Sequence, residues 1–472
     1  MRICLVSEGC YPYVVGGVSG WIHSMIQAFP EHDFIIFSII TNREGSGKFE
    51  YELPSNVAAV YEAYLDDFDW GTKKKKGRRT HLKRAEYRAL RSLIMNRRVE
   101  WDAIFDLFHK NSNMSVDDLL MGADFLHIVQ EYYDSNYPQI VFSDFLWTMR
   151  SIYLPLFLML KTEIPKADLY HCVATGYAGI LGAKASYIYN KPLLISEHGI
   201  YTREREEEII KALWVKGIYK NIWIEQFRKM SKVAYDKASK VTCLYNHARD
   251  LQIELGCPEN KTQITPNGIN VERFENIPGR LPEDEGMFNI GAVVRVTPIK
   301  DIKTMIQAFS FAKQRMPKLK LWIMGPTNED EDYFNECFDI VEANGLQDVV
   351  FTGRINVTDY LGRMNCTILT SISEGQPLTI LEGYAAKLPV IATDVGNCRE
   401  LIFGEPGDDL GVAGILTHIM NVQEIADAMV ELASNETLCK EMGEIGYKRV
   451  TTYFRLDQMQ DTYRKIYDDL EE

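Results

Sequence analysis

The sequence predicts an α/β protein of two domains, each built around a parallel β-sheet. Short apolar runs alternate with longer segments of helical periodicity, which is the pattern of parallel strands joined by crossover helices. The chain has 472 residues, more than one hydrophobic core usually supports, so two domains are expected. Hydrophobic residues make up 46% and charged residues 25% of the chain, a composition typical of a folded globular protein.

Charge and cysteine content narrow the possible function classes. The formal net charge is −14, which argues against binding of nucleic acid. Any anionic substrate must therefore meet a local cluster of Arg, Lys and backbone N–H groups. The nine cysteines form no C-x-x-C pair and fit the reduced thiols of a cytosolic protein. Because the apolar run at the N-terminus is also too short for a signal peptide, we expect a cytoplasmic protein.

The first predicted domain spans residues 1–280. Its strand candidates are Arg2–Ser7, Asp33–Ile40, Leu169–Ala174, Pro192–His198, Lys240–Tyr245 and Thr262–Thr265. Residues 61–165 interrupt this series, and their aromatic and charged pattern predicts a helical insertion. Within the insertion, Lys73–Arg79 reads KKKKGRR. A solvated loop is the simpler interpretation of this run, and contact with anionic lipid or a partner protein is the alternative.

The second predicted domain spans residues 281–454 and repeats the alternation of strands and helices more regularly. Its strand candidates are Phe288–Val296, Lys318–Gly325, Val349–Gly353, Cys366–Ser371, Val390–Thr393 and Gly414–Leu416. The segment Asn276–Gly286 contains two prolines, two glycines and several acids, which predicts a linker between the domains. Residues 455–472 are predicted to form a helix that crosses back to the first domain.

The segment Cys366–Lys387 carries the strongest functional signal. It reads CTILTSISEGQPLTILEGYAAK, which predicts a strand, a polar loop and a helix. Ligands bind at the carboxyl ends of strands in open α/β sheets. Pro377 suits the first helical position because its missing N–H would be unpaired there. The N–H groups of Leu378, Thr379 and Ile380 then form an anion site suited to phosphate.

Two carboxylates flank this predicted phosphate site. Glu374 lies in the loop before the helix, and Glu382 lies in the second turn of the helix. A carboxylate beside a phosphate is unfavourable unless it binds something else, and the hydroxyl groups of a sugar or a ribose suit it well. The combination predicts a nucleotide-sugar site. A helix that merely carries solvated acids is the alternative.

SEGQPLTILEG resembles the E-x7-E motif of the GT4 family of retaining glycosyltransferases. That resemblance implies the GT-B architecture, in which two Rossmann-like domains face each other across a deep cleft. The opening RICLVSEGCYPYVVGGVSGW, the helical insertion and HGIYTRER extend it. Together with the motif they are similar to the PelF-type glycosyltransferases of bacterial Pel exopolysaccharide biosynthesis, and this wider resemblance spans nearly the whole chain.

The resemblance assigns roles to individual residues. Donor binding is implied for Gly16, Gly17, Arg295, Lys300, Gly353, Arg354, Ile355, Glu374, Gln376, Pro377, Leu378, Thr379 and Glu382. Among these, Arg295 and Lys300 match the family's cations that hold the diphosphate. A catalytic role is implied for His198, Glu374, Arg295 and Lys300. The acceptor is expected near Tyr201, Arg203 and Arg205.

The resemblance therefore implies a hexosyltransferase with retention of anomeric configuration. The expected donor is a UDP-sugar, with UDP-glucose as the first expectation, and the acceptor is a growing exopolysaccharide or another glycan. No cofactor or metal ion is expected, since Asp66-Asp67-Phe68-Asp69 fits a solvated acidic run better than a metal motif. Partners include inner-membrane polysaccharide synthesis proteins, with the enzyme peripheral at the inner face of the plasma membrane. A non-catalytic UDP-sugar-binding scaffold and a UDP-sugar 2-epimerase are the alternatives.

Overall fold

A computed structural model describes residues 1–41, 43–66, 81–111 and 114–471. These residues divide into two compact units. The first comprises Met1–Cys243, Arg249–Ile264 and the C-terminal residues from Arg464, and the second comprises Leu244–Ala248 and Thr265–Tyr463. The basic run Lys73–Arg79 lies outside the described residues.

The first unit contains a seven-stranded sheet in which every neighbouring pair of strands is parallel. Its strands are β1 (Arg2–Glu8), β2 (Asp33–Ile40), β3 (Val57–Tyr64), β4 (Leu169–Cys172), β5 (Leu193–Ser196), β6 (Lys240–Cys243) and β7 (Thr262–Ile264). Their spatial order is β3-β2-β1-β4-β5-β6-β7. The order reverses between β1 and β4, as in doubly wound Rossmann-like sheets.

Helices cover this sheet and form the insertion. They are α1 (Gly17–Ala28), α2 (Arg84–Ile94), α3 (Trp101–Lys110), α4 (Val116–Leu120), α5 (Ala123–Asn136), α6 (Phe142–Lys161), α7 (Tyr177–Tyr189), α8 (Tyr201–Lys211), α9 (Gly217–Lys237) and α10 (Asn246–Glu254). The insertion helices α2–α6 bury their apolar faces in the same core as the sheet. None of the described helices combines the length and the apolarity needed to cross a bilayer.

The insertion begins later than the sequence predicts, because residues Tyr61–Tyr64 belong to β3. This strand pairs in parallel with β2 at the edge of the sheet. Most of its residues are only partly buried. Its sequence VAAVYEAY carries alanines and a glutamate where the neighbouring β2 has Phe and Ile, and this weaker apolar pattern did not identify it as a strand.

The second unit repeats the architecture with a six-stranded sheet of parallel neighbours. Its strands are β8 (Phe288–Val293), β9 (Leu319–Met324), β10 (Val349–Gly353), β11 (Cys366–Leu369), β12 (Val390–Thr393) and β13 (Gly414–Thr417). Their order is β10-β9-β8-β11-β12-β13, which reverses between β8 and β11. Its helices are α11 (Ile302–Arg315), α12 (Glu331–Ala343), α13 (Thr358–Leu361), α14 (Leu378–Ala385), α15 (Cys398–Phe403), α16 (Val422–Ser434), α17 (Glu436–Tyr453) and α18 (Leu456–Glu471).

The structure begins the second unit at Thr265, ahead of the predicted boundary at residue 281. Val271 and Phe274 are buried in the second hydrophobic core. Asp284, in the segment predicted as a linker, is 1% exposed and accepts a hydrogen bond from Arg363 Nε at 2.9 Å. The segment is packed against the second unit, and its prolines and acids are turn and ion-pair residues.

The final helix, α18, belongs to the second unit up to Tyr463 and to the first unit from Arg464. In the first unit its Tyr467 hydroxyl lies 2.9 Å from His171 Nδ1. The Tyr467 ring also packs edge-on against Phe29, with the ring centroids 5.2 Å apart. The last turns of the chain therefore complete the core of the first unit.

We expect Arg449→Met to destabilise the second unit by about 3–5 kcal/mol, because it leaves the buried Asp408 carboxylate without its partner. Arg449 is 1% exposed and its Nε lies 2.6 Å from Asp408 Oδ2. Urea unfolding followed by circular dichroism measures the loss. Arg399→Met, which removes an exposed partner of Asp394, is the matched control and should move the midpoint very little. Equal shifts in the two variants would contradict the expectation.

Candidate functional site

The strand order places a ligand crevice in the second unit at the point where it reverses. The loops that follow β8 and β11 leave the sheet in opposite directions there, and ligands of open α/β sheets bind between such loops. Arg295 and Lys300 follow β8, and Ser371 and Glu374 follow β11. Two predicted site segments, far apart in sequence, therefore share one edge of the sheet.

Direct hydrogen bonds tie these two loops together. The Thr370 hydroxyl donates to the carbonyl oxygens of Lys300, at 3.0 Å, and of Asp301, at 3.1 Å. The Ile372 N–H donates to the Ile299 carbonyl at 2.9 Å. Asp301 then begins α11, and its carboxylate accepts the Thr304 N–H at 3.4 Å. The loops form one rigid frame, so their side chains are held in position before any ligand binds.

Lys300 and Glu374 form an ion pair across this frame. Lys300 Nζ lies 2.5 Å from Glu374 Oε1, and the Ser371 hydroxyl donates to the same oxygen at 2.5 Å. The two side chains of the pair are only 17% and 11% exposed. No described residue hydrogen-bonds to the second oxygen, Oε2, which stays available to accept from a hydroxyl group. The sequence predicted that Lys300 binds the diphosphate and that Glu374 binds hydroxyl groups, and the structure brings the two side chains into direct contact.

Glu382 presents a second carboxylate from α14. Its side chain is half-buried, and burial raises its pKa to about 7, partly offset by the charge of Arg273. Within the described part of the chain its carboxylate accepts no hydrogen bond from another side chain. A desolvated carboxylate without donors binds hydroxyl groups favourably, because each hydrogen bond replaces a lost contact with water.

The start of α14 differs slightly from the prediction. The helix begins at Leu378, and Pro377 is its N-cap. The Ile380 N–H, predicted to be free, donates to the Pro377 carbonyl at 3.1 Å, because the first turn closes on the capping residue. Among the described residues, the N–H groups of Leu378 and Thr379 have no backbone acceptor, so these two remain for an anion.

The loop before α14 is held by close backbone contacts. Gly396 has φ +52, and a Cβ there would lie 2.3 Å from the Glu374 carbonyl oxygen, so only glycine fits. The Asn397 N–H donates to the Gly375 carbonyl at 2.9 Å. Gln376 Oε1 accepts the Asn267 N–H at 2.6 Å, while Gln376 Nε2 is buried and forms no hydrogen bond within the described part of the chain. Gln376 therefore supports the loop and keeps one donor free.

The remaining predicted donor residues of the second unit lie further from this cluster. The Arg295 guanidinium is 55% exposed and pairs with Glu329 at 2.9 Å; to bind a phosphate it must leave that partner. Gly353 ends β10, which is separated from β8 by β9. Arg354 and Ile355 follow it. The structure does not bring these residues into contact with the ion pair of Lys300 and Glu374.

In the first unit, Gly16 is the N-cap of α1 and Gly17 is its first residue, after the loop that follows β1. No described atom lies within 4 Å of a Cβ built on either residue, so the backbone is open to close approach. His198 lies two residues beyond β5, and its ring centroid is 4.5 Å from that of Trp21 in an edge-on contact. Its Nε2 is buried and has no hydrogen-bond partner among the residues that the structure describes. Burial lowers the pKa of His198 to about 4, so the imidazole is neutral at pH 7.

The predicted acceptor residues have different environments. Tyr201 is 5% exposed and therefore supports its surroundings, and the Arg205 guanidinium lies 5.2 Å from its ring centroid. Arg203 is exposed, 3.7 Å from Glu254. The sequence analysis missed Glu8, the last residue of β1, which accepts the Ala178 N–H at 2.7 Å. An acid at the carboxyl end of the first strand was the signal available for it.

Curated relatives share the chain's sequence over long stretches. The capsular polysaccharide biosynthesis glycosyltransferase CapM of Staphylococcus aureus is 24% identical over 336 residues, covering 66% of this chain and 83% of CapM. The UDP-Gal:alpha-D-GlcNAc-diphosphoundecaprenol alpha-1,3-galactosyltransferase of Escherichia coli is 25% identical over 333 residues, covering 67% of this chain and 79% of that enzyme. Both relatives are glycosyltransferases.

Solved structures share the fold. HepE of Anabaena, crystallised in complex with UDP, superposes with a TM-score of 0.62 at 15% identity and covers 99% of this chain and 100% of HepE. Sucrose-phosphate synthase of Thermosynechococcus elongatus also gives a TM-score of 0.62 at 15% identity, covering 99% of this chain and 98% of the synthase. The two Rossmann-like units therefore have the GT-B fold that the sequence predicted.

Two family models match the chain. Residues 287–435, within the second unit, match the model of the glycosyl transferases group 1. Residues 1–260, more than half of the chain, match the model of a domain of unknown function, DUF3492. The protein therefore belongs to the DUF3492 family, and its second unit is similar to the group 1 glycosyl transferases.

Proposed function

We propose that the protein transfers a hexose from a UDP-sugar to a glycan acceptor with retention of anomeric configuration. One observation carries the proposal: Lys300, Glu374 and Ser371 converge at the crevice of the second sheet, at the loop that leads into α14, the helix that carries Glu382. Cations and free N–H groups suit a diphosphate, and the two carboxylates suit hydroxyl groups. UDP-glucose is the first donor to test.

In this proposal Arg295, Lys300 and the N–H groups of Leu378 and Thr379 hold the diphosphate. These groups stabilise the charge that grows on it as the bond to the sugar breaks. Arg295 exchanges Glu329 for a phosphate oxygen, and Lys300 remains close to both Glu374 and the phosphate. Because these groups already supply positive charge, the proposed reaction is metal-independent.

The two carboxylates orient the sugar and the nucleotide. Glu374 accepts hydroxyl groups of the transferred hexose through its free oxygen, and Glu382 accepts the ribose hydroxyls. The acceptor oxygen attacks the anomeric carbon on the face from which UDP leaves, the bond from that carbon to the phosphate oxygen breaks, and the hydroxyl proton passes to the departing phosphate. Neutral His198 is the proposed hydrogen-bonding partner of the sugar near the reacting carbon.

The similar proteins support the choice of donor and acceptor. HepE was crystallised with UDP, and the name of the Escherichia coli enzyme specifies UDP-Gal as donor and a diphosphoundecaprenol-linked acceptor. CapM serves capsular polysaccharide biosynthesis. We extend the proposal to exopolysaccharide synthesis of the Pel type, with the enzyme cytoplasmic and peripheral to inner-membrane synthesis proteins.

Glu374→Gln and Lys300→Met should each lower kcat by about 100-fold, since removal of one preorganised electrostatic group costs on the order of 3 kcal/mol in the transition state. The measurement is UDP release from UDP-glucose with acceptor present. Lys303→Met, which removes a half-buried cation of α11 paired with Glu336 of α12, is the matched control. Turnover near the wild-type rate in both site variants would refute the assigned roles.

The affinity for UDP-glucose should rise as pH increases from about 6 to 8. Burial raises the pKa of free Glu382 to about 7, and ribose hydroxyls bind its carboxylate form better, so the bound complex has a lower pKa. The phosphates of UDP-glucose stay ionised throughout this range. Calorimetric titration at several pH values measures the slope, and Glu382→Gln is expected to flatten it. A slope that persists in this variant would assign the titration to another group.

The raised pKa of Glu382 also makes the stability of the fold depend on pH, and this dependence has the opposite sign: stability falls as pH rises. Because the neutral acid is favoured in the folded state, the stabilising contribution of Glu382 is complete below pH 4.5, its unfolded value, and is lost as pH rises through about 7. Glu382→Gln should therefore exceed the wild type in melting temperature at pH 8 and match it at pH 4. The reverse order at pH 8 would contradict burial as the cause.

In a thermal-shift screen of UDP, GDP and ADP sugars, we expect the UDP-sugars to raise the melting temperature most. A ligand raises the melting temperature according to its affinity for the native state. Activity should persist in EDTA. A non-catalytic scaffold would bind UDP without turnover, and a 2-epimerase would convert the UDP-sugar without an acceptor. Either result would replace the proposed transfer reaction.

A further inference from the structure

A large concave cavity in the first unit is separate from the predicted donor and acceptor residues. It has a volume of about 1190 Å³ and lies where the segment between α2 and α3 meets the C-terminal half of α9. Its cationic lining residues are Arg97, Arg98, Arg228, Lys229, Lys232 and Lys237. Its acidic lining residues are Glu100, Asp102 and Asp236. We call it the basic cavity, since positive charges outnumber negative ones in a chain whose net charge is −14.

Only part of this positive charge is neutralised. Lys237 Nζ lies 2.5 Å from Asp102, and Lys232 pairs with Asp236 one helical turn away. The third lining acid, Glu100, is bonded to Arg88, which does not line the cavity. The lining acids therefore neutralise two of the lining cations, and a third cation, Arg228, is paired with Glu206 and Glu225 outside the lining.

Arg97 and Arg98 are the most available cations. Both are exposed, and neither forms an ion pair within the part of the chain that the structure describes. A planar guanidinium presents several N–H donors in a fixed fork that matches two phosphate oxygens. Two adjacent arginines at the rim of a cavity therefore offer a preformed contact for clustered negative charge.

Lys229 adds a cation from α9. Its ammonium donates to the Leu93 carbonyl at 2.9 Å and to the Tyr153 hydroxyl at 3.3 Å, and both acceptors are neutral. Burial lowers its pKa to about 7, with Glu225 partly offsetting the effect. A cation held by neutral oxygens in a desolvated position gains strongly when an anion approaches. The cavity thus has cations on two separate elements.

The topology separates this cavity from the predicted reaction site. Helix α9 ends at Lys237 and strand β6 begins at Lys240, so the C-terminal end of α9 lies at the amino edge of the sheet. Gly16 and His198 follow the carboxyl ends of β1 and β5. Substrates of such folds bind at the carboxyl edge. A ligand in the basic cavity would act away from the sugar transfer.

We propose that the basic cavity binds a ligand that carries two or more phosphate groups. Arg97 and Arg98 contact one phosphate, and Lys229 contacts another from α9. Trp101, half-buried in the lining, provides an aromatic surface on which the organic part of the ligand rests. The phosphates belong either to a soluble nucleotide or to the headgroup of a lipid, and the chemistry of recognition is the same.

The test is calorimetric titration of the full-length protein with inorganic tripolyphosphate in saturating UDP, which keeps phosphate subsites elsewhere occupied. Arg97→Gln/Arg98→Gln should weaken binding by about tenfold or more, since each charged hydrogen bond contributes at least about a factor of ten. Lys48→Gln/Arg84→Gln is the matched control, because it removes two exposed cations that form no ion pair among the described residues and lie outside the cavity. Its affinity should equal that of the wild type.

Two further titrations distinguish the sources of phosphate. ATP tests a soluble nucleotide, and vesicles of phosphatidylglycerol, measured by co-sedimentation, test a lipid headgroup. If Arg97→Gln/Arg98→Gln weakens the binding of a probe and Lys48→Gln/Arg84→Gln does not, the result supports the site. The probe that binds in this way identifies the class of ligand. Equal losses in the two double variants, or binding of all three probes unchanged by Arg97→Gln/Arg98→Gln, would overturn the proposal. So would the absence of binding by every probe. Circular dichroism verifies that each variant is folded.

Discussion

The ion pair between Lys300 and Glu374 organises the candidate site of the second unit. Its two members come from loops that follow different strands, and the Thr370 hydroxyl fixes those loops to each other by two hydrogen bonds. A mostly buried pair of this kind gains little net stability, because desolvation offsets most of the attraction. Its consequence is geometric: it fixes a cation and a carboxylate side by side beside the start of a helix. A diphosphate and a sugar need that combination of charges at neighbouring positions.

Desolvation decides the chemical state of the other candidate groups. Burial raises the pKa of Glu382, and the charge of Arg273 offsets this effect only in part. Burial also lowers the pKa of His198. Opposite shifts from one cause follow from the charge of the ionised form, which burial disfavours in both groups. The result is a carboxylate that responds to pH near neutrality and an imidazole that stays uncharged there. Both states suit the recognition of hydroxyl groups better than that of ions.

Positive charge in this acidic protein is concentrated at particular places. In the second unit Arg295 and Lys300 lie at the carboxyl edge of the sheet, where the proposed diphosphate binds. In the first unit Arg97, Arg98 and Lys229 surround a cavity near the amino edge. A net charge of −14 raises the cost of bringing any polyanion near the surface, so local clusters of cations are the condition for binding one. The two clusters are therefore independent candidates for anion recognition.

The sequence by itself determined the fold class and most of the strands. Fully buried parallel strands require continuous apolar runs, and the predicted limits of Asp33–Ile40 and Val390–Thr393 agree with the structure at both ends. The limits of the partly buried edge strand Val349–Gly353 were also predicted correctly. The loop and helix around Glu374 and Glu382 were also visible, because a helix start after a buried strand has a local signature. Their proposed roles still await experiment.

Tertiary structure alone decided the remaining features. The edge strand Val57–Tyr64 is only partly buried, and its alanines and glutamate gave it a weaker apolar pattern than the neighbouring strand Asp33–Ile40. The second unit starts at Thr265, ahead of the predicted boundary. The segment around Asp284 looked like a linker, but Asp284 packs against Arg363 of the second unit, a contact that no local pattern reveals. The contact of Lys300 with Glu374, and the pKa of Glu382, depend on which loops the sheet order brings together and on how much water they exclude. These are properties of residues distant in sequence, which only the folded chain makes neighbours.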